Sequence, residues 1–364
     1  MAAVKLLYSR KYFQNMISGI QQMGIGIPNV HEAWTWYRKT LGMDVPIFEE
    51  AATADLMLPY TGGKPHDRHA ILALNMQGGG GFEIWQYTSR TPQPANFDIE
   101  LGDLGIYACK IKSQDVDKCF QFMKDKGVTV SKEVTTLPNG NKHFLIQDPY
   151  GNIFEIVSSR ATFKNTRAYT GGVAGAIIGV SDIDKSLSLF KDVLGYDVIE
   201  YDITDEASDI SEITKSGEKY RRVLLSHSNK RLGAFSELLG PSEIELIQRT
   251  TSAGRKIYKD RFWGDLGFIH LCYDVTDMKS LKKKCEEHGY PFTVDSANSF
   301  DMGEAAGHFT YIADLDGTLI EFVETHKIPI LKKIGWYLNL QKRDPNKSLP
   351  RWMINALGMN RKKD

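Results

Sequence analysis

The sequence lacks an excess of charge of either sign. Its 364 residues include 45 basic residues (Lys and Arg) and 45 acidic residues (Asp and Glu), so the formal net charge is zero. Domains that bind nucleic acid normally carry a clustered basic surface that neutralises phosphates. The even balance of charge gives no sign of such a surface, and we therefore expect no nucleic-acid partner.

Cysteines and long apolar runs are also scarce. No two of the four cysteines form a Cys-x-x-Cys pair, which argues against a zinc knuckle or a disulfide framework. No apolar run approaches the roughly 20 residues of a transmembrane helix. The opening residues, MAAVKLLYSRKYFQNM, are too polar for a signal peptide. These absences predict a cytoplasmic protein without a transmembrane segment. The cysteines are Cys109, Cys119, Cys272 and Cys285.

What the sequence does contain is an internal repeat. The stretch QMGIGIPNVHEAWTWYRKTLGMDV (22–45) resembles GAIIGVSDIDKSLSLFKDVLGYDV (175–198). In both, an alternating apolar stretch typical of a strand precedes a capping residue, Asn29 or Asp182, and then apolar residues at helical spacing. Both helices are predicted to stop at Leu-Gly, because glycine suits the left-handed position that ends a helix.

Two shorter stretches, 106–130 and 270–292, repeat the same strand–helix–glycine plan. Each of the four units then runs through further strand-like segments to a strand with one Glu. The unit is therefore a βαβββ module, and we predict an α+β protein with four modules. They are expected to form two paired domains, residues 17–160 (modules 1 and 2) and 173–326 (modules 3 and 4), followed by a helical C-terminal extension, 327–364. The closing glutamates are Glu83, Glu155, Glu245 and Glu321.

The closing strands raise a chemical question. A carboxylate is costly to bury in a strand as apolar as NIFEIV (152–157) unless a partner compensates its lost hydration. A βαβββ module leaves the concave face of its sheet unfilled, so two modules are expected to join around a shared cavity. A cation in that cavity would compensate the carboxylates that face it.

The pattern resembles the vicinal oxygen chelate superfamily, which includes glyoxalases, bleomycin-resistance proteins and extradiol dioxygenases. The resemblance rests on the opening strand–helix–Leu-Gly signature and on the closing Asp-x-x-Gly-x-x-x-Glu strand, found at 148–155 and 314–321. It implies a fused four-module member, in which module 1 joins module 4 around one cavity and module 2 joins module 3 around another. It also implies that each module can offer two ligands, one in its opening strand and the closing Glu.

The resemblance implies one complete ligand set, similar to that of glyoxalase I. Module 1 offers Gln22 and Glu83, and module 4 offers His270 and Glu321. Gln21 lies beside Gln22, and a slip of one residue would turn the other side chain inward. Two carboxylates, an amide and an imidazole suit one divalent metal ion: Zn, Ni, Mn, Co or Fe(II).

Modules 2 and 3 are less complete. The resemblance places Ile106 and Gly175 at their opening positions, and neither can bind a metal through its side chain. Glu155 and Glu245 remain, and each is expected either to be satisfied by protein partners or to face a wet cavity. The second cavity is therefore predicted to be degenerate.

The implied function is that of a metal-dependent lyase, isomerase or epimerase. A substrate with two adjacent oxygens would chelate the ion, which would stabilise an enediolate. Glu83 and Glu321 are the implied catalytic residues, since a carboxylate at the ion can move a proton. Tyr87 stands where glyoxalase I has an asparagine that helps to hold glutathione, so glutathione is not expected. The partner is then a small molecule, and the sequence leaves open whether the chain forms a homodimer.

Two other functions stay open at this point. An Fe(II) extradiol-type dioxygenase would pair module 3 with module 4 and would need histidines at both opening positions, but Gly175 occupies the third. A non-catalytic small-molecule-binding protein needs only a cavity, and the aromatic residues, 11% of the chain, would suffice to line one.

Other histidines and a glycine run give weaker signals. His66 and His69 are predicted to lie in a solvated loop. His308 begins a strand and is expected either to be structural or to touch the substrate, and His143 is interpreted as its counterpart in module 2. The run QGGGGF (77–82) lacks the Lys and helix of a phosphate loop, so it is predicted to be a hairpin turn.

The C-terminal extension lies outside the repeats. Apolar residues at helical spacing predict an amphipathic helix across Ile330–Leu338. A second short helix is predicted from Leu349 to Leu357, with Pro350 at its start. We expect both helices to clamp the body of the protein, partly through Trp352. The alternative is a basic amphipathic segment that touches a membrane surface or a partner.

Overall fold

Two nine-stranded mixed sheets form the body of the protein. The computed structural model describes residues 16–297, 300–301, 306–331 and 336–362. Helices cover the convex face of each sheet, and the largest apolar core lies between the helices and the sheets. The α+β class and the four modules are as predicted. Within the described residues, no helix combines the length and the apolar character needed to cross a bilayer.

The first sheet is built from modules 1 and 4. Its strand order is β15-β17-β18-β14-β1-β4-β3-β2, with β16 beside β17. The two opening strands, β1 and β14, are antiparallel neighbours at its centre. The elements of module 1 are β1 (Ile17–Gly26), α1 (Val30–Leu41), β2 (Val45–Thr53), β3 (Asp67–Leu74) and β4 (Gly81–Tyr87). Those of module 4 are β14 (Gly267–Val275), α5 (Met278–Glu287), β15 (Val294–Asp295), β16 (Phe300–Asp301), β17 (Ala306–Ala313) and β18 (Leu319–Thr325).

The second sheet is built in the same way from modules 2 and 3. Its order is β11-β12-β13-β10-β5-β9-β8-β6, with β7 beside β8. The elements of module 2 are β5 (Gly105–Ser113), α2 (Val116–Asp125), β6 (Thr129–Val130), β7 (Thr135–Thr136), β8 (Lys142–Gln147) and β9 (Ile153–Ser158). Those of module 3 are β10 (Val173–Gly179), α3 (Ile183–Leu187), β11 (Val198–Asp205), β12 (Tyr220–Ser226), α4 (Ser236–Leu239) and β13 (Glu243–Arg249).

This topology joins the two ends of the chain. Module 1 lies beside module 4 and module 2 beside module 3, as the family resemblance implied. Each sheet therefore draws strands from both 17–160 and 173–326. Neither segment forms a sheet by itself. The first sheet joins the two modules at the ends of the chain, and the second joins the two consecutive modules in its middle.

The helix ends follow the local sequence signals. Asn29 Oδ1 accepts hydrogen bonds from the backbone N–H groups of His31 and Glu32 in the first turn of α1, and Gly42 ends that helix with φ 67°. Module 3 differs slightly, because α3 continues as a π-helix over Ser188–Val193. Gly195 follows it with φ 75°, so the predicted left-handed stop is present there too.

The glycine run between β3 and β4 is a turn, but a buried one. Gly79 has φ 117°, and a Cβ there would lie 2.7 Å from the backbone of Gly172. Gly80 forms an isolated antiparallel bridge with Val173 at the start of β10. The run thus lets the backbones of the two halves approach closely, rather than forming a free hairpin tip.

The C-terminal extension departs from the prediction in its first part. Instead of a helix, β19 (Lys327–Leu331) and β20 (Trp336–Asn339) pair as an antiparallel hairpin, and residues 332–335 of the predicted helix lie outside the described residues. The second helix is present as α6 (Arg351–Leu357), directly after Pro350. Ile354 packs into the body, whereas Trp352 is 67% exposed and makes no clamp.

Candidate metal centre

The centre of the first sheet brings four predicted residues together. In the parallel pair β1–β4, Gly24 lies opposite Glu83, and in the pair β14–β18, Cys272 lies opposite Glu321. Gln22 and His270 precede those positions by two residues, so their side chains point to the same concave face. Alternation along four strands therefore converges on one point.

A strand irregularity determines which of the two neighbouring glutamines, Gln21 or Gln22, faces the carboxylates. The pairing of β1 with β14 shifts register between Ile20 and Gln22, as at a β-bulge. Gln22 consequently joins the carboxylates, while Gln21 accepts a weak hydrogen bond from the thiol of Cys272 at 3.7 Å. The sequence alone did not reveal this shift.

The polar atoms of the four side chains lie close enough to one another to bind one common ion. Gln22 Nε2 donates to Glu83 Oε2 and to Glu321 Oε2, both at 3.4 Å. His270 Nε2 lies 3.0 Å from Glu321 Oε2 and 3.4 Å from Glu83 Oε2. Glu83, His270 and Glu321 form a group whose ligand atoms could hold a single metal ion.

Burial removes the ionisable groups of this cluster from water. His270 is fully buried, and the side chains of Glu83 and Glu321 are only 13% and 8% exposed. Burial lowers the pKa of the His270 imidazole, but the carboxylates of Glu321 and Glu83 outweigh it and raise the pKa to about 9. The two carboxylates thus stabilise a positive charge at Nε2. A divalent cation would compensate their negative charge in the same way.

Aromatic rings pack around the imidazole. The indole of Trp263 stacks on His270 with a centroid separation of 6.3 Å, and Tyr311 meets it edge-on at 5.5 Å. Trp85 and Tyr87 follow Glu83 on the same face of β4, and the Tyr87 hydroxyl donates to the carbonyl of Trp263. Tyr87 is therefore held within the same aromatic cluster as Trp263.

A glycine provides the space that the imidazole fills. A Cβ on Gly24 would lie 2.6 Å from His270 Nδ1 and 2.7 Å from Nε2, although the backbone of Gly24 suits any residue. We therefore expect Gly24→Ala to displace the ring and lower divalent-metal affinity by about 10- to 100-fold, with the fold retained. Calorimetric titration with Mn²⁺ and circular dichroism would measure both properties. Gly358→Ala, at an uncrowded position, is the control, and equal affinity in the two variants would contradict the expectation.

The second sheet holds the other two closing glutamates. Glu155 and Glu245 are fully buried, and both lie beside the ammonium group of Lys110. The register also corrects the opening position of module 2. Ala108, not Ile106, lies two residues before the position opposite Glu155, because β5 pairs Ala108 with Ile153. The prediction was two residues early on the strand.

The remaining histidines lie elsewhere. His69 lies on β3 and not in a loop, and its Nε2 is 3.3 Å from Glu49 Oε1 on the protein surface. His308 pairs with Asp295 at 2.6 Å. By sheet register, the counterpart of His143 is Phe309, because these two residues lie opposite Val157 and Val323 respectively. The proposed equivalence of His308 and His143 was wrong by one residue.

Comparison with protein families decides the relationship. Models described as the glyoxalase/bleomycin resistance protein/dioxygenase superfamily match residues 19–156 and 176–311. The chain belongs to this superfamily. Comparison with curated protein sequences gives no significant match.

Solved structures of other proteins share the fold of this chain. A putative dioxygenase from Bacillus subtilis aligns over 96% of this chain and 98% of its own, with 13% identity and a TM-score of 0.59. A mutant of glyoxalase I from Zea mays aligns over 84% of this chain and 92% of its own, with 12% identity and a TM-score of 0.51. At these identities the similarity shows the fold alone.

Proposed function

We propose that the protein is a divalent-metal-dependent lyase, isomerase or epimerase of the glyoxalase type. Gln22, Glu83, His270 and Glu321 would hold the ion. The observation that carries the proposal is their convergence: Gln22 and Glu321 are 299 residues apart in sequence, yet their side chains are in hydrogen-bonding contact. Two modules contribute two polar residues each to this point of the sheet, beside the apolar cluster that contains Trp85 and Tyr311.

The donor set suits a divalent ion. Two carboxylates, one amide and one imidazole are hard or borderline ligands, and they match Zn, Ni, Mn, Co or Fe(II) with positions left for substrate. Gln22 Oε1 is buried and finds no hydrogen-bond partner among the residues that the structure describes. An unpaired buried amide oxygen is costly unless something accepts its lone pairs, as a cation would.

The chemistry follows from the two carboxylates. The bound ion would act as a Lewis acid for negative charge that develops on two adjacent substrate oxygens. Glu83 and Glu321 would take and return a proton at the neighbouring carbon, which is the proton movement of an enediolate-type reaction. The low exposure of both carboxylates limits competition from water.

The cavity walls suggest the kind of substrate. Trp85, Tyr87, Trp263 and Tyr311 belong to one apolar cluster beside the four polar residues. A cavity of about 420 Å³ borders this cluster at Trp263, Ile269 and Leu319, and none of the four proposed ligands lines it. We therefore favour a small hydroxycarbonyl or dicarbonyl compound with an apolar or aromatic body.

An extradiol dioxygenase is less well supported. That chemistry requires two histidines and one carboxylate at the ion, whereas the cluster contains only His270. In the described strands, modules 3 and 4 share no sheet, although this alternative would have them form the site. A purely binding function would leave the paired carboxylates without a role.

Proton exchange tests the proposed reaction class. Protein loaded with Mn²⁺ or Ni²⁺ would be incubated in D₂O with aromatic and aliphatic 2-hydroxycarbonyl compounds, and exchange at the carbon next to the carbonyl followed by NMR. We expect exchange with the loaded wild type, and none after chelation or in Glu83→Gln and Glu321→Gln. Oxygen uptake with catechols in place of proton exchange would contradict the proposal.

A further inference from the structure

The concave face of the second sheet (the second cleft) has a lysine at a position where the concave face of the first sheet (the first cleft) has a glycine. Lys110 lies opposite Glu155 in the pairing of β5 with β9, as Gly24 lies opposite Glu83 in the pairing of β1 with β4. The Lys110 side chain therefore enters the concave face at the level of the closing glutamates. In the first cleft the same level is the meeting point of the candidate metal ligands.

Lys110 lies among three carboxylates. Its Nζ is 3.0 Å from Glu155 Oε2, 2.8 Å from Glu243 Oε1 and 3.1 Å from Glu245 Oε2. The side chains of Lys110, Glu155 and Glu245 are all completely buried. A single ammonium group in contact with three carboxylates, two of them closing glutamates, occupies the place that a cation would take.

Further protein groups lie against the other carboxylate oxygens. His143 Nδ1 lies 2.8 Å from Glu155 Oε1. Tyr201 donates its hydroxyl hydrogen to Glu245 Oε1 at 2.7 Å, and Arg222 Nε donates to the same oxygen at 2.9 Å. Glu245 Oε1 therefore accepts two hydrogen bonds, while Glu155 is held by the close approach of Lys110 and His143.

The opening strands of this cleft contribute no ligand. A Cβ on Gly175 would overlap the carbonyl oxygen of Glu243, so the backbone spacing leaves no room for a side chain there. Ala108, at the corresponding position of module 2, offers only a methyl group. These two positions therefore offer no ligand that corresponds to the glutamine and histidine proposed for the first cleft.

Charge supports the same picture. Burial lowers the pKa of Lys110, but Glu155, Glu243 and Glu245 outweigh it and raise the pKa well above its usual value. Burial raises the pKa of Glu155, and Lys110 and His143 more than offset this, lowering it to about 2. The ammonium group of Lys110 and the carboxylate of Glu155 thus stay charged at neutral pH.

We infer that the ammonium group of Lys110 replaces a metal ion in the second cleft, which excludes divalent cations for as long as this side chain is present. The second cleft is then an internal ion-pair cluster that holds modules 2 and 3 together. Removal of the lysine should expose Glu155, Glu243 and Glu245 as a cation site, because carboxylate oxygens are the preferred ligands of Mn²⁺.

Equilibrium dialysis with Mn²⁺ tests this inference in a His270→Ala background, which disables the first centre. We expect no bound Mn²⁺ in H270A and one equivalent in H270A/K110A. Because each comparison is made within H270A, the result does not depend on whether the first centre binds metal. Lys112→Ala is the matched control: Lys112 is also buried on β5, but its Nζ donates to the carbonyl of Leu239. H270A/K112A should bind none.

Two outcomes would overturn the inference. One is an equivalent of Mn²⁺ in H270A that disappears in H270A/E155Q, since the second cleft would then hold a metal despite its lysine. The other is a folded H270A/K110A variant that binds no more Mn²⁺ than H270A. Circular dichroism establishes folding. Should H270A/K110A be unfolded, the inference requires added Mn²⁺ to restore its fold, and failure to do so would also contradict it.

Discussion

Replacing His270 with alanine is expected to lower the affinity for a divalent ion by more than about 100-fold, which exceeds the usual effect of a residue that only supports a ligand. His270 is the one nitrogen donor of the proposed set, and its Nε2 contacts both carboxylates. Without the imidazole, the two buried carboxylates are left beside the Gln22 amide and the space that the ring had filled. Calorimetric titration of metal-free protein with Mn²⁺ and Ni²⁺ measures the change.

His308→Ala provides the matched control for that substitution. His308 lies on β17 of the same module, but it pairs with Asp295 and not with the four candidate ligands. We expect its removal to leave metal affinity within about twofold of the wild type. A residue that supported a metal ligand would have a larger effect. Equal losses in the two variants would show that the affinity reflects general damage to module 4.

Replacing Arg222 with methionine is expected to destabilise the protein by about 3–5 kcal/mol, the usual result of breaking a buried ion pair from one side. Arg222 is fully buried and binds Glu245 through Nε and Asp209 through both Nη atoms, at 2.5 and 2.9 Å. Methionine keeps most of the packing volume but leaves Glu245 with less positive charge. Urea unfolding followed by fluorescence measures the free energy of unfolding.

The neighbouring residue on β12 supplies a control for Arg222. Arg221 also contacts two carboxylates, those of Asp184 and Asp202, but on the surface of the protein. Exposed pairs contribute at most about 1 kcal/mol, so Arg221→Met should have a small effect. Similar losses in the two variants would mean that the second cleft does not depend on its buried ion pairs.

Much of the fold is contained in local sequence patterns. The repeated strand–helix–Leu-Gly signature and the four closing glutamates indicate four βαβββ modules, because side-chain alternation and helix caps act over a few residues. The tail shows where this reasoning fails. Its spacing fits a helix between 330 and 338, but Lys327–Leu331 pairs with Trp336–Asn339 as a hairpin, so strand pairing overrides the local helical pattern.

The sites depend on register, which the sequence does not display. The bulge that turns Gln22 inward and the two-residue offset that makes Ala108 the opening position both follow from strand pairing. Lys110 was missed for a different reason. The stretch ACKIKS alternates lysines with apolar residues, like a half-exposed strand, yet Lys110 and Lys112 are both buried. Two lysines on the concave face of an opening strand were the available signal.

The most direct test of the account is an anomalous-difference map from crystals grown with Mn²⁺. We expect one strong peak within coordination distance of Gln22, Glu83, His270 and Glu321, and none beside Lys110. A map without a peak among those four side chains, at a Mn²⁺ concentration that saturates binding in solution, would contradict the proposed metal centre and the reaction built on it.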